Sequence, residues 1–227
     1  MSSPSVLHIN HIIQCMNIYV ALVIFTTGVV GGLLNIVIFT SLRTFRQTPC
    51  GFYLTVTSLC NVGQALFALS TRILDSGFGV NVTNVSWTCK LRTFLAQSCV
   101  LLSLTNMSLT TIDQFVSMTS RRAWSSLRLA RRHALVSCVV WGVHGIFALV
   151  YWDVTNGVCT TASGSSYRRY LAYFYTPVLL ACLPIAVMLT FSLLAFFYAR
   201  TLASRQVNIV RLSHERQLTA MALSQVA

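Results

Sequence analysis

A chain of 227 residues with only four acids has little with which to run acid–base or metal chemistry. Its histidines, His8, His11, His133, His144 and His214, are scattered. Nowhere do His, Cys and carboxylate residues cluster as a metal site or an activated nucleophile requires. An enzyme is therefore disfavoured, and no metal or other cofactor is implied. His144 stands alone in an apolar run, where a hydrogen-bonded packing residue is the simpler reading. Asp113 is the acid that invites a function, because an ionisable group inside an apolar run marks a polar pathway or contact. The alternative is a hydrated carboxylate at the run's edge. Most of the eight cysteines lie within apolar runs and behave as small hydrophobes. Cys89 and Cys159 stand apart, at the opening of one run and in the loop after the next.

The elements that must position these groups are five stretches free of Asp, Glu, Lys and Arg: Ile18–Leu42, Gln47–Thr71, Thr93–Ile112, Ala134–Trp152 and Tyr170–Ala199. Each is about as long as a helix needs to cross a hydrocarbon core of roughly 30 Å. Lipid offers no water to backbone amides, so such segments satisfy their own hydrogen bonds as helices. Hydrophobic residues make up 55% of the chain and charged residues 9%, too few charges to cover a water-exposed surface. Mean hydropathy is +0.69. The net charge of +12 does not point to nucleic acid, because the basic residues form small groups beside apolar helices rather than one continuous face. The lipid bilayer is the partner implied, with anionic headgroups suiting the arginines next to the spans.

Basic residues also orient the chain. Arg43, Arg46, Arg121, Arg122, Arg128, Arg131, Arg132, Arg200, Arg205, Arg211 and Arg216 follow the first, third and fifth stretches. Arg72, Lys90, Arg92, Arg168 and Arg169 fall on the other side, and the segment before Ile18 has none. The positive-inside bias then predicts an extracellular amino terminus. No charged leader or cleavage site precedes Ile18, so a removable signal peptide is not expected. Asn81-Val82-Thr83 and Asn84-Val85-Ser86 are glycosylation sequons on the predicted outer side. A third, Asn106-Met107-Ser108, lies inside a span, out of reach. Cys89 and Cys159 share the oxidising side, which permits a bridge, with two free thiols as the alternative.

The chain divides into an extracellular tail (1–17), five helices with their loops (18–199) and a basic inner segment leading into the start of a sixth helix (200–227). Pro49 suits the first turn of the second helix. Ser76–Thr88 and Thr155–Tyr167 read as outer loops, the latter rich in Gly, Ser and Thr. Pro177 and Pro184 predict kinks or local unwinding in the fifth helix. About ten residues after Arg216 are too few to span a bilayer, so the sequence reads as a truncated chain.

Placed on this topology, the landmarks resemble the rhodopsin-like (class A) G protein-coupled receptors. Asn35 in Leu34-Asn35-Ile-Val-Ile is similar to the family's first-helix asparagine. Asn61 in Leu54-Thr-Val-Thr-Ser-Leu59-Cys-Asn61 stands where the family has Asp. Asp113-Gln114-Phe115 replaces Asp-Arg-Tyr at the family's distance from Cys89. Trp141, Cys159 and Pro184 fit the fourth-helix tryptophan, the second outer-loop cysteine and the fifth-helix proline, and Glu215, Thr219 and Met221 look like the start of helix six. The resemblance implies an all-α membrane protein of the seven-transmembrane receptor type, represented by five full spans and the beginning of a sixth. It also implies a Cys89–Cys159 disulfide, a plasma-membrane location, an extracellular ligand and heterotrimeric G proteins as partners.

Departures from the pattern shape the expectations. Gln114 carries no cation to pair with Asp113 or to meet a G protein, though it can donate hydrogen bonds. Asn61 removes the carboxylate of the family's sodium site, leaving a polar contact with Ser103 or Asn35. Ser192 replaces the fifth-helix tyrosine, and Arg121-Arg122 replaces a Pro-hydrophobic pair. Ala96 stands where amine receptors carry Asp, which disfavours an amine. Arg72, Gln97, Val100, Tyr173 and Thr176 lie at depths where family pockets form, and the basic outer face suits an acidic peptide. The expectation is a receptor for a peptide, neuropeptide-like, that signals through G proteins. A non-signalling receptor-like protein is the alternative, and a transporter a more distant one, since no internal repeat is present.

Overall fold

The computed structural model describes residues 4–77, 82–119, 125–155, 157–161 and 165–202. Five of its helices are long and apolar enough to cross a membrane: Ile18–Ser41, Pro49–Asp75, Ser86–Met118, Leu127–Tyr151 and Ser166–Leu202. Expectations for Asn81, Arg121, Arg122 and the opening of a sixth helix lie outside the described residues.

Helix α1 (Pro4–Ser41) begins with proline at its first position, where the missing N–H costs nothing. It therefore starts well before Ile18, and the expected tail is mostly helix. No Pro or Gly interrupts the chain between Pro4 and Ile18, so helical hydrogen bonding propagates outward from the span. After the single turn α2 (Arg43–Arg46), Thr48 caps α3 (Pro49–Gln64) by accepting from the Gly51 N–H at 3.2 Å, with Pro49 in the first turn as the sequence predicts. A π-helical turn, Ala65–Leu69, joins α3 to α4 (Ser70–Gly77), which completes the second span.

Helix α5 (Ser86–Met118) is the centre of the bundle and packs against α3 on one side and α6 (Leu127–Tyr151) on the other, while α1 covers α3 and α4. Its buried positions include Ser103, Asn106, Ser108 and Thr110, whereas α6 presents Leu135, Val139, Val143, Phe147 and Val150 outward. Lipid is as apolar as leucine and gives no drive to bury large side chains, so small and hydrogen-bonding residues collect at the helix contacts. The buried residues of α6 are Ala130, Ala134, Gly145 and Ala148. At Gly145 an added Cβ would run into the Ser98 hydroxyl and the Phe94 ring, so glycine sets how closely α6 approaches α5. Hydroxyls facing outward are satisfied within their own helices. Thr26, Thr40 and Thr190 each donate to the carbonyl four residues back.

The expected outer loop after the fourth span is partly ordered as an antiparallel hairpin, β1 (Trp152–Thr155) and β2 (Val158–Thr161), in the register Val154 opposite Cys159. Gly157 takes the positive φ of 72° that the turn needs. Trp152, read from sequence as the end of a span, opens the first strand instead. The last span begins with α7 (Ser166–Tyr170), runs through a π-helical stretch, Leu171–Cys182, that contains Pro177, and continues as helix to residue 202. Proline cannot donate its backbone hydrogen bond, and the wider winding is the local unwinding the sequence predicts. Pro184 lies just beyond it in regular helix.

Candidate functional site

A disulfide between Cys89 and Cys159, with Cα atoms 5.6 Å apart, ties the hairpin to the first turns of α5. Asp153 completes that anchorage: Ser86 Oγ donates to its carboxylate at 2.6 Å, the Val154 N–H donates at 2.8 Å, and Lys90 Nζ lies 3.8 Å away. The Ser86 hydroxyl first, then the Val154 N–H and the Lys90 charge, hold the Asp153 carboxyl below its ordinary value.

Beneath the hairpin lies a cavity of about 640 Å³ between α1, α3, α4 and α5, with Trp152 and Cys159 among its walls. Arg72 and Arg92 line it, as do Asn61 and Gln64 farther along α3. Asp75 engages Arg92 at 3.7 Å and accepts from the Val82 N–H at 2.8 Å. Asn61 Oδ1 accepts from Ser103 Oγ at 2.8 Å, the contact expected from the sequence. Asn35 does not share it. It lies exposed on α1 and, among the described residues, makes no hydrogen bond to Asn61. The turn of α1 places Gly32, nearly one helical turn before it, against Val62 instead.

Of the five residues expected to line a pocket, Arg72 alone is on this cavity's wall among the described residues. Gln97 is buried and accepts from Tyr167 Oη at 3.1 Å, a bond joining α5 to α7. Val100 is half-buried on α5, outside the lining. Tyr173 is 79% exposed, and Thr176 is exposed with its hydroxyl on the Leu171 carbonyl at 2.9 Å. Both lie in the π-helical stretch, where a regular helical count does not give the facing of a side chain. Sequence reasoning also missed the roles of Asp75 and Asp153, both placed at helix or strand ends where charge density alone gives no signal.

A second, smaller hollow of about 350 Å³ separates α6 from the last span. His144 occupies one wall, bonding through Nε2 to Tyr170 Oη at 2.8 Å and stacking on Tyr175 with ring centroids 5.9 Å apart. That is the packing role expected of it. Trp141 Nε1 donates to Thr105 Oγ1 at 2.9 Å, holding α6 on α5.

At the opposite end of α5, Asp113 is half-buried, with the Ser125 hydroxyl nearby. Gln114 points its amide at Cys50 Sγ, 3.8 Å away. Phe115 packs edge-on against Phe191 and Tyr198 of the last span, at 5.8 and 6.5 Å. Pro184 is buried in the same span. Asn84, at the end of a short 3₁₀ turn, Val82–Asn84, is exposed, as a modified asparagine would have to be. Asn106 is fully buried and donates to the Leu102 carbonyl at 2.7 Å. Among the described residues no three His, Cys, Asp or Glu side chains come together as a metal site.

Neither protein-family models nor curated proteins match this chain. The geometry therefore carries the functional argument alone. It offers a cavity beside a tethered hairpin at one end of a membrane bundle, and a polar and aromatic cluster at the other end of the same central helix.

Proposed function

We propose that this chain is a receptor of the rhodopsin-like type, a seven-helix protein of the plasma membrane with its amino terminus outside, which senses an extracellular peptide and signals through heterotrimeric G proteins. The carrying observation is the 640 Å³ cavity at the hairpin end, bordered by the cystine that joins hairpin to α5. A concave site with a few polar groups on mostly apolar walls suits an orienting ligand contact. Helix α5 runs from that cavity to Asp113, Gln114 and Phe115, so one element touches both ends. The last span contacts it there through Phe115, which gives a displaced helix a route to the inner face.

The test has two parts. An epitope tag at Met1 should be reached by antibody on intact cells, and nucleotide exchange on purified G proteins should rise when peptide fractions are added. A tag reached only after permeabilisation would refute the orientation and the receptor with it. A second reading, a receptor-like protein that binds without signalling, is favoured by one observation: Gln114 spends its amide on Cys50 and offers no cation. Peptide binding with no exchange on any G protein would select it.

A further inference from the structure

We infer that the hairpin-end cavity selects a carboxylate-bearing ligand and that Arg72 is the residue that holds the carboxylate. The inference deepens the proposed function and rests on this cavity being the ligand site. Two guanidinium groups face the same hollow, and they are not equivalent. Arg92 is taken by Asp75, whose carboxylate also accepts from Val82. The other acid at this end, Asp153, is held by Ser86, Val154 and Lys90. Among the described residues no carboxylate lies within ion-pair distance of Arg72. Every other group named on the wall is neutral, including Asn61, Gln64, Thr93 and Ala96.

A guanidinium beside apolar walls attracts an anion more strongly than one in bulk water, because the surroundings screen less. Its planar fork matches a carboxylate with two parallel hydrogen bonds. Gln64, two helical turns from Arg72 along the second span, adds an amide that can bond the neutral remainder of such a ligand. The cavity thus has an anion-binding end at Arg72 and an uncharged end at Asn61 and Gln64. An acidic side chain or a free carboxyl terminus of a peptide fits the first.

The experiment uses the whole protein in a non-ionic maltoside, so that no headgroup phosphate competes. Cysteine is placed at Ala68, which lines the cavity near Arg72. Its labelling by a sulfonate-bearing and by a trimethylammonium-bearing methanethiosulfonate is followed by mass spectrometry of the labelled peptide, each rate normalised to that of free cysteine. The sulfonate reagent should be favoured by on the order of tenfold, as one nearby cation in a partly screened site implies. Arg72→Gln should remove the preference and Arg72→Lys keep most of it. Arg72 is exposed, so neither change disturbs packing. A blocked di-glutamate peptide should slow labelling by the uncharged methyl reagent, and a blocked di-lysine peptide should not.

Equal normalised rates, a preference unmoved by Arg72→Gln, or equal protection by both peptides would overturn the inference. Protection by added phosphatidylglycerol but not by di-glutamate would overturn it too, identifying Arg72 as a headgroup anchor. None of these readouts needs a G protein. Loss of the anion preference with ligand-driven nucleotide exchange intact removes the inference alone, whereas a retained preference without exchange removes signalling alone.

Discussion

Replacing Gly145 by alanine, beside the same change at Gly142, isolates the close approach of α6 to α5. Both glycines lie on α6, and both variants gain the same helical preference of roughly 1 kcal/mol that alanine has over glycine. That term cancels when the two are compared. At Gly142 nothing lies within 4 Å of an added Cβ. At Gly145 the new methyl meets Ser98 Oγ and two Phe94 ring carbons at 2.8 and 2.9 Å. The Ser98 hydroxyl can rotate, but it then gives up its bond to the Trp141 carbonyl, now 3.3 Å. The ring is a rigid plate and must shift as a whole. Overpacking of this kind costs about 1–3 kcal/mol. For a chain of this size that corresponds to a melting temperature lower by roughly 2–12 °C for Gly145→Ala than for Gly142→Ala. Tryptophan fluorescence in detergent reads it, since Trp141 lies at the affected contact. Adding Phe94→Leu to Gly145→Ala should recover most of the loss. Equal melting temperatures for the two glycine variants, or no recovery with the smaller Phe94 replacement, would refute the packing argument.

Removing the cystine by Cys159→Ser opens a loop of 70 residues, for which chain entropy gives at most about 4 kcal/mol because the membrane already confines the spans. The expected result is a lower melting temperature that reductant no longer changes. The Asp153 contact should respond to acid. Its carboxyl is held below the ordinary 3.8, so the stabilisation is complete above that value and is lost as pH falls through the lowered one. Exchange of the Val154 amide should quicken below about pH 4 relative to the rest of the hairpin, and Asp153→Asn should abolish that acid response. On the receptor reading, Gln114→Arg restores a cation beside Asp113 and should raise basal nucleotide exchange; no change on any G protein would argue for the non-signalling alternative.

The five spans were legible because apolar length is a property of sequence alone, and Pro49, Pro177 and the Cys89–Cys159 pair were legible because each has few structural options. The ends were not. Residues 4–17 include polar side chains that read as a tail, yet helical hydrogen bonding continues through them. Trp152–Thr161 lacks the alternation of a long strand, and its hairpin depends on the cystine and on the bonds of Asp153. Of the residues singled out by depth, Arg72 borders the cavity while Gln97, Val100, Tyr173 and Thr176 lie off its wall, because helical depth along a span does not tell which way a side chain turns. Asn35 failed for the same reason, and Ser103 with Asn61 succeeded because both lie on the contact between α3 and α5.

The π-helical turn at Ala65–Leu69 acts as an inserted residue in the second span. Every side chain beyond it is rotated by about 100° from where an unbroken helix would put it. With the insertion, Ile73 is buried and Arg72 borders the cavity. Deleting one residue there would spin the tip of the span like a screw advanced by a quarter turn, swinging the guanidinium off the cavity wall and breaking the pairing of Asp75 with Arg92. The turn thus fixes the azimuth of a charge, and a lineage could gain or lose it by a single codon.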